Sequence, residues 1–296
     1  HGNESESSES VFVQLAVEQT IQSGMGWNWF SINIETEDMH PNTVLSTLNP
    51  DINDQIKSQI GNAIYYGEEG GWIGTLSNID ITSLYMLDIS NSGTLALSGY
   101  PTDPLLNPIS LGLGWNWIGY LPQETLNINN ALETVDADQN DQIKNQTEFA
   151  IYYGDDAGWL GSMTDMEPGQ GYMIFVSNES ELIYPSANSG LVRINLDLEE
   201  TPVLPESISA WNMNPKTFAF NGTMTISINN HPDFDGDYVA VFVGSECRGI
   251  AKRMHFPIDD SYIYSLMVYS NLSEGEILHF KYYNALEDDI YQYAET

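Results

Sequence analysis

The sequence predicts a mainly β protein: two homologous small β-barrel or β-sandwich repeats, each with one short helix, followed by a C-terminal β-sandwich. Three observations predict this class. Short blocks alternate aromatic or β-branched residues with polar ones, glycine-containing turns separate the blocks, and much of the chain repeats itself. With 296 residues, of which 42% are hydrophobic, the chain is long enough to bury substantial cores.

The internal repeat is the strongest signal. "GMGWNWFSI" is matched by "GLGWNWIGY", so Trp27 recurs as Trp115, and "DQIKSQ", "AIYYG" and "GWIGTL" recur in the same order as "DQIKNQ", "AIYYG" and "GWLGSM". The first match is at a separation of 88 residues and the following ones are at 87, and such an ordered set with one indel indicates two copies of one unit. We therefore expect four parts: an acidic N-terminal tail (1–10), repeat 1 (11–103), repeat 2 (104–189) and a C-terminal region (190–296).

The local pattern predicts the elements of each part. "WNWFSINI" and "WNWIGYL" have the period-2 alternation of half-buried strands. "NTVLSTLN" and "NINNALETV" carry apolar residues at helical spacing, and each begins near an Asn or Thr that can cap a helix. "NAIYYG", "GWIGTL" and "LYMLDIS" are strand-like blocks separated by glycine turns. In the C-terminal region, "LVRINLDL", "MTISINN", "YVAVFVG", "IYSLMVYS" and "ILHFKYY" are strand-like at a spacing that suits a β-sandwich.

The net charge restricts the partners of this protein. Asp and Glu number 42 against 8 Lys and Arg, a formal net charge of -34, so nucleic acid and anionic membrane surfaces would repel the chain. No stretch approaches the roughly 18 apolar residues of a membrane-spanning helix, and residues 1–10 do not resemble a signal peptide. Cys247 is the single cysteine, which excludes an intrachain disulfide. We expect a mature protein that is secreted or on the cell surface, without membrane insertion.

The repeated blocks also carry a resemblance. The paired "GWNW", "DQIK", "YYG", "GWIG" or "GWLG", and "GYM" units resemble a repeat of secreted, multi-domain proteins of environmental bacteria, especially relatives of the Bacteroidetes. In the C-terminal region, "AWNMNPKTFAFNGTMTI", "DYVAVFVGSECRGIA" and "YIYSLMVYSN" are similar to a β-sandwich module near the C-terminus of such surface proteins. The resemblance spans nearly the whole chain. It implies export and a binding, adhesive or structural role, and it implies no catalytic residues.

The segment "DADQNDQIKNQ" of repeat 2 resembles a calcium loop, because oxygen-bearing side chains stand at alternate positions. The candidate ligands in the two copies are Asp136, Asp138, Asn140 and Asp141, and Asn49, Asp51, Asn53 and Asp54. Calcium takes about six to eight oxygen ligands, of which such a loop supplies about three. The loop departs from the EF-hand pattern because its sixth position is not glycine. The alternative is an Asx turn into the "DQIK" strand, with Lys57 or Lys144 pairing with a loop carboxylate.

Aromatic residues raise a carbohydrate-binding hypothesis, because exposed aromatic rings stack on sugars. The tryptophans of both "WNW" blocks are more simply explained as core residues. Two other tryptophans follow acidic glycine-containing turns and are expected to be exposed near a loop. The candidate ligand residues are Trp72, Trp159, Tyr66 and Tyr153. The alternative is an aromatic cluster buried in the strands.

No catalytic or nucleotide-binding motif occurs, and the five histidines show no metal-ligand spacing, so we do not expect an enzyme. The apolar segment "ESVFVQLAVEQTI" either completes repeat 1 or adds a strand to a neighbouring molecule by self-association. The sequence thus predicts a non-enzymatic extracellular adhesion or structural protein, with a cell-surface filament subunit and calcium stabilisation as specific forms of that hypothesis. The alternative is a carbohydrate-binding accessory module of a polysaccharide-degrading system, with a glycan as partner.

Overall fold

The computed structural model describes residues 15–185, 204–218, 220–228, 236–256 and 260–293. They form antiparallel sheets with a few short helices, which confirms the predicted mainly β class. The acidic tail and the predicted strand "LVRINLDL" lie outside the described residues.

The strands and helices of the two repeats follow the predicted order. Repeat 1 contains β1 (Val17–Ser23), β2 (Gly26–Phe30), β3 (Ile34–Glu35), α1 (Pro41–Val44), β4 (Gln55–Lys57), β5 (Asn62–Tyr65), β6 (Trp72–Gly74), β7 (Tyr85–Ile89) and β8 (Gly93–Pro101). A 3-10 helix (Pro104–Leu106) leads into repeat 2, which contains β9 (Ile109–Leu111), β10 (Gly114–Ile118), β11 (Leu126–Asn127), α2 (Ile128–Ala131), β12 (Gln142–Lys144), β13 (Phe149–Tyr152), β14 (Trp159–Gly161), β15 (Asp165–Met166), β16 (Tyr172–Val176) and β17 (Ser180–Leu182).

The two repeats share one topology. The larger sheet has the order β2-β7-β4-β5-β6 in repeat 1 and β10-β16-β12-β13-β14 in repeat 2. The smaller sheet contains β1-β8-β3 in repeat 1 and β17-β9 in repeat 2. The strands of the larger sheet therefore repeat one for one, whereas β3 of repeat 1 and the β11-β15 pair of repeat 2 have no counterpart strand in the other copy.

The predicted helices are single turns, and their caps differ. In repeat 2, Asn127 caps α2, because its side chain accepts a hydrogen bond from the Asn129 N–H. The expectation of an Asn or Thr cap is wrong in repeat 1. There His40 caps α1 by accepting from the Asn42 N–H, and Pro41 fills the first helical position, where no N–H is needed.

One hydrophobic cluster extends through both repeats, from Phe30 in repeat 1 to Tyr184 in repeat 2. The repeats meet through reciprocal backbone hydrogen bonds. Ser31 N–H donates to the Gly169 carbonyl over 3.1 Å, and Gly119 N–H, at the position equivalent to Ser31, donates to the Thr82 carbonyl over 2.7 Å. Because each bond has its counterpart in the other copy, the repeats pack around an approximate two-fold axis.

Two equivalent glutamines strengthen this interface. Gln59 donates from its side-chain amide to one "WNW" carbonyl of repeat 2 and accepts from the N–H two residues further on, and Gln146 does the same to repeat 1. The bonds are Gln59 Nε2 to Trp115 O (2.8 Å), Trp117 N to Gln59 Oε1 (3.1 Å), Gln146 Nε2 to Trp27 O (2.7 Å) and Trp29 N to Gln146 Oε1 (2.9 Å). The glutamine in "DQIKSQ" and "DQIKNQ" is therefore an interface residue in both copies.

The "WNW" tryptophans lie beside this interface. Trp117 is buried and Trp29 and Trp115 are partly buried in a cluster of side chains from both repeats, as the core interpretation predicts. Trp27 is 39% exposed, so the core interpretation is wrong for this residue. Trp27 lies in β2, an edge strand of the larger sheet. Its ring packs against the Lys57 amine instead of against another sheet.

The described C-terminal region is one six-stranded sheet of order β18-β21-β20-β19-β22-β23, with two 3-10 helices (Glu206–Trp211 and Pro215–Thr217). The strands are β18 (Phe220–Ile226), β19 (Tyr238–Val243), β20 (Glu246–Phe256), β21 (Ser261–Ser270), β22 (His279–Asn284) and β23 (Asp289–Tyr293). One face packs on the segment that contains Trp211. The opposite face, here called the concave face, holds its own cluster, which includes Tyr264 and Tyr282.

The concave face results from strong curvature. The rings of Tyr264 in β21 and Tyr282 in β22 are 6.3 Å apart, although β20 and β19 lie between the two strands. In a flat sheet, three strand spacings would separate them by about 14 Å. The sheet therefore curls until its two edges, β18 and β23, approach each other.

Candidate functional site

The acidic loop of repeat 2 is built around one buried carboxylate. Asp141 is fully buried, and its Oδ1 accepts hydrogen bonds from the Ser177 N–H (3.0 Å) and hydroxyl (2.7 Å). Its Oδ2 accepts from the Asp138 N–H over 2.9 Å. Asn140 between them has φ 79°, a left-handed conformation that asparagine tolerates better than most residues. These bonds fix the loop against the end of β16.

Repeat 1 reproduces the arrangement. Asp54 is buried, and it accepts from the Ser90 N–H (3.0 Å), the Ser90 hydroxyl (2.6 Å) and the Asp51 N–H (2.9 Å). Asn53 has φ 77°. Because the same three donors are bound in both copies, these contacts support the Asx-turn alternative for the loops.

The remaining candidate ligands are exposed: Asn49, Asp51 and Asn53 in repeat 1, and Asp136, Asp138 and Asn140 in repeat 2. In both copies the second aspartate is engaged, since Asp51 accepts from the Asn91 amide (2.9 Å) and Asp138 from the Asn178 amide (3.2 Å). Among the described residues, no three His, Cys, Asp or Glu side chains are grouped closely enough to hold a metal. Calcium also binds amide and backbone oxygens, so calcium binding stays a prediction.

The calcium hypothesis predicts a higher melting temperature in millimolar calcium than in excess chelator, because an ion that binds only the folded state stabilises it. Circular dichroism of one sample under the two conditions measures the difference. Asp136→Asn with Asp138→Asn should abolish the difference without greatly changing the melting temperature in chelator. A melting temperature that does not respond to chelator leaves the Asx turn as the only role of these loops.

Trp72 and Trp159 are not exposed, so the expectation that they form a ligand face is wrong. They are 5% and 4% exposed and belong to the shared hydrophobic cluster. Each begins a strand, β6 or β14, whose first side chain points inward onto an aromatic neighbour: Tyr65 at 5.4 Å from Trp72 and Tyr152 at 5.3 Å from Trp159. An asparagine of the helix turn accepts a hydrogen bond from the backbone N–H of each tryptophan: Asn42 from Trp72 over 2.6 Å and Asn129 from Trp159 over 2.7 Å. The acidic turn is at the surface, but the strand that follows it is not.

Tyr66 and Tyr153 occupy equivalent positions with different environments. The ring of Tyr66 is partly buried and packs edge-on against Phe256 of the C-terminal region, at a centroid distance of 4.7 Å. Tyr153 is 50% exposed. Of the four aromatic candidates, only Tyr153 is therefore open to a ligand.

The difference arises because the C-terminal region covers repeat 1. It lies on the side of the larger sheet that points away from the shared core, here called the outer face. Four hydrogen bonds attach it: Thr223 Oγ1 to Gln55 Oε1 (2.6 Å), Lys57 Nζ to Asn221 O (3.2 Å), Tyr269 Oη to Gln59 O (2.5 Å) and Ser265 Oγ to Asn62 Oδ1 (3.2 Å). With the ring of Tyr66, five residues of repeat 1 make this contact.

Four of these five residues recur unchanged in repeat 2: Gln142, Lys144, Gln146 and Tyr153 stand where repeat 1 has Gln55, Lys57, Gln59 and Tyr66. The fifth changes, because Phe149 replaces Asn62. Phe149 is 54% exposed, whereas Asn62 is fully buried. The outer face of repeat 2 thus presents the same contact residues with an added aromatic ring. In the described structure the 3-10 helix Pro215–Thr217 contacts β10 at one edge of this sheet, and the apolar residues of β13 and β14 stay exposed.

The register shows that the exposed apolar residues of repeat 2 share one face. Phe149 and Ile151 alternate along β13, and Leu160 of β14 pairs with Ile151. Leu160 is 52% exposed. Lys144 pairs with Phe149 on the neighbouring strand β12. The outer face of repeat 2 is therefore a continuous strip of apolar and aromatic side chains beside one lysine.

The two lysines of this face have unusual surroundings. Lys57 Nζ lies 4.5 Å from the centroid of the Trp27 ring, and Lys144 Nζ lies 4.4 Å from that of Trp115, so both amines form cation–π contacts. Burial lowers the pKa of Lys57 to about 8, with the charge of Asp88 acting in the opposite direction. Burial also lowers the pKa of Lys144. Lys57 and Lys144 are the only Lys or Arg residues before position 190, and each belongs to the outer face of its repeat.

Searches against protein-family models, curated proteins and solved structures find no match for this chain. The resemblance to repeats and modules of exported bacterial proteins therefore stays a prediction. In the described ranges, none of the helices is long and apolar enough to cross a membrane.

Sequence reasoning did not identify the outer face, although its signal was present. Within "DQIKSQ" and "DQIKNQ", the outward residues Gln55 and Lys57 have identical counterparts, Gln142 and Lys144, whereas surface residues of duplicated units are free to diverge. Identity at period 2 on a polar strand face indicates a contact shared by both copies. The pattern alone does not show that only one copy is covered.

Proposed function

We propose that this chain is a non-enzymatic extracellular structural protein that acts by binding other copies of itself, as a subunit of a cell-surface assembly. One observation carries this proposal: the outer face holds a protein domain in repeat 1 and recurs in repeat 2, where its residues on β13 and β14 are exposed. A sheet face whose function in one copy is protein contact is suited to protein contact in the other. The acidic composition, the single cysteine and the resemblance to exported repeats support an extracellular location.

The apolar strip on repeat 2 is large enough to contribute to association. Phe149, Tyr153 and Leu160 are each about half exposed, and covering what remains accessible would contribute about 1 to 2 kcal/mol for each side chain. Single exposed apolar residues are common on protein surfaces, but adjacent ones on one sheet face mark interaction sites. At a net charge of -34, association also has to overcome repulsion, so we expect it to strengthen with ionic strength.

Sedimentation velocity over a concentration series tests this proposal. We expect wild-type protein to associate, and Phe149→Ser with Leu160→Ser to weaken association by about 30-fold or more, since about 2 kcal/mol is lost. The matched control is Leu272→Ser with Leu286→Ser, two residues of similar exposure (57% and 61%) in the C-terminal region. Monomeric wild-type protein up to millimolar concentration, or equal association of both double variants, would contradict the proposal.

Carbohydrate binding is the second candidate function, and the exposure of Tyr153 next to the apolar strip favours it. A tyrosine ring on an open sheet face can stack on a sugar ring, and the nearby Lys144 offers a hydrogen-bond donor. A glycan array separates the two functions. Specific glycan binding that is lost in Tyr153→Ala, with no self-association of the wild type, would support the carbohydrate function.

A further inference from the structure

An open groove lies where the two edges of the C-terminal sheet approach each other. It encloses about 450 Å³. Its apolar side chains come from both edges: Met224, Ile226 and Ile228 on the β18 side, and Phe280, Tyr282 and Tyr293 on the β22–β23 side. The groove is continuous with the concave face, whose cluster contains most of these residues. Among the described residues, the hydrophobic cluster of the concave face is therefore open to solvent along the line where the two sheet edges approach each other.

One wall of the groove is an unpaired strand edge. β18 pairs with β21 on one side, and no strand of the described residues pairs with its other side. An open edge presents backbone N–H and C=O groups that can bind an added strand. Met224, Ile226 and Ile228 follow at every second position, about 7 Å apart. The groove is thus suited to one extended segment with apolar residues at period 2.

We propose that this groove binds residues 11–16 of a second copy of the chain as an added β-strand. The inference deepens the proposed function, on which it rests, by naming the segment and the acceptor through which copies join. Val11, Val13 and Leu15 stand at alternate positions. One face of the segment therefore offers three apolar side chains to the three that line the β18 side of the groove.

The start of the described chain supports this donor. Leu15 is 75% exposed and Val17, the first residue of β1, is 37% exposed. Leu15 and Val17 are therefore not fully covered by the rest of repeat 1. Lys281 borders the groove through its strand, but its amine lies over the Phe242 ring on the opposite face, 4.2 Å from the ring centroid. Shape and not charge therefore favours the pairing.

The groove of the same molecule is out of reach for this segment. β1 pairs with β8 in the smaller sheet of repeat 1, while the C-terminal region lies on the outer face of the larger sheet, across the repeat's core. The groove opens on the concave face, opposite the face that carries Ser265 and Tyr269, which contact repeat 1. With packed sheets about 10 Å apart, more than about 20 Å separates β1 from the groove. Residues 11–16 directly precede β1, so only a second molecule can accept them.

Two variants with one added cysteine each, Val13→Cys and Ile226→Cys, test the pairing when mixed at equal concentration under mild oxidation. Cys247 is buried and does not compete. We expect a disulfide-linked heterodimer on a non-reducing gel, because the proposed strand brings the two positions together. Val13→Cys mixed with Leu272→Cys is the control and should give at least tenfold less product. Equal yields from both mixtures would overturn the inference.

Deleting residues 1–14 tests the segment itself while leaving β1 in place. We expect extended assemblies in electron micrographs of the wild type to disappear, with melting temperature unchanged. Association through the outer face of repeat 2 should persist in this variant and should still fall with Phe149→Ser and Leu160→Ser. If the deletion variant forms the same extended assemblies, the groove pairing is wrong, although the proposed function stands. If neither protein associates, the proposed function itself is wrong.

Discussion

Replacing Asp141 with alanine is expected to lower the free energy of unfolding by about 3 to 5 kcal/mol. The side chain is fully buried, and its two oxygens accept from the Ser177 N–H, the Ser177 hydroxyl and the Asp138 N–H. Alanine fills less space and leaves those donors without a partner. Urea unfolding followed by tryptophan fluorescence measures the change.

Asp136→Ala provides the matched control, because Asp136 is an exposed carboxylate of the same loop, and we expect it to change stability by less than about 0.5 kcal/mol. Asp54→Ala should reproduce the effect of Asp141→Ala, since Asp54 makes the same contacts in repeat 1. Equal and small losses for Asp136→Ala and Asp141→Ala would show that the buried carboxylate does not stabilise the loop.

Replacing Gly119 with alanine is expected to destabilise the packing of the two repeats by about 3 kcal/mol, at the upper end of overpacking effects. A Cβ atom at Gly119 would lie 2.2 Å from the Ile81 carbonyl oxygen, which belongs to the backbone of the other repeat and has little room to move. The shift would also lengthen the hydrogen bond from Gly119 N–H to the Thr82 carbonyl. Urea unfolding should show a lower midpoint.

Gly222→Ala is the control for this substitution, because a Cβ at Gly222 meets no atom within 4 Å and the residue has no positive φ. We expect it to change stability by less than about 0.5 kcal/mol, or to increase it slightly through a less flexible unfolded chain. If Gly119→Ala is as stable as Gly222→Ala, the contact between the repeats is looser than the hydrogen bonds indicate.

The sequence was sufficient to predict the repeat, the mainly β class and the positions of the short helices. These properties depend on periodicity and on matched blocks, both of which are local. It was not sufficient for Trp72 and Trp159, because an acidic turn indicates where the chain is exposed and not which side the next strand turns toward. The inward direction is set by the pairing of β6 with β5, which places Trp72 opposite Tyr65 and on the core side.

The acidic loops show a related difficulty. Alternate oxygen-bearing residues are equally suitable for binding calcium and for turning the chain, and the choice depends on where the fourth of these residues, an aspartate in both copies, points. Asp54 and Asp141 point inward to serines that lie 36 positions later, at the ends of β7 and β16. No local pattern reports a partner at that distance. The same holds for Gln59 and Gln146, whose identity in both copies was visible and whose partners were not.

The C-terminal region is attached to the outer face of repeat 1, and repeat 2 has no second copy of it. The two repeats are therefore not equivalent in the whole molecule. Two repeats related by an approximate two-fold axis would, alone, present equivalent surfaces on both sides. Copies of them could then join as closed, symmetric pairs. A single C-terminal region on repeat 1 removes that equivalence, and the donor segment and its acceptor groove lie in different parts of the chain. Contacts between unlike surfaces do not close on themselves unless the rotation permits a ring. In the assembly that we propose, growth is therefore polar, with every copy facing the same way along it.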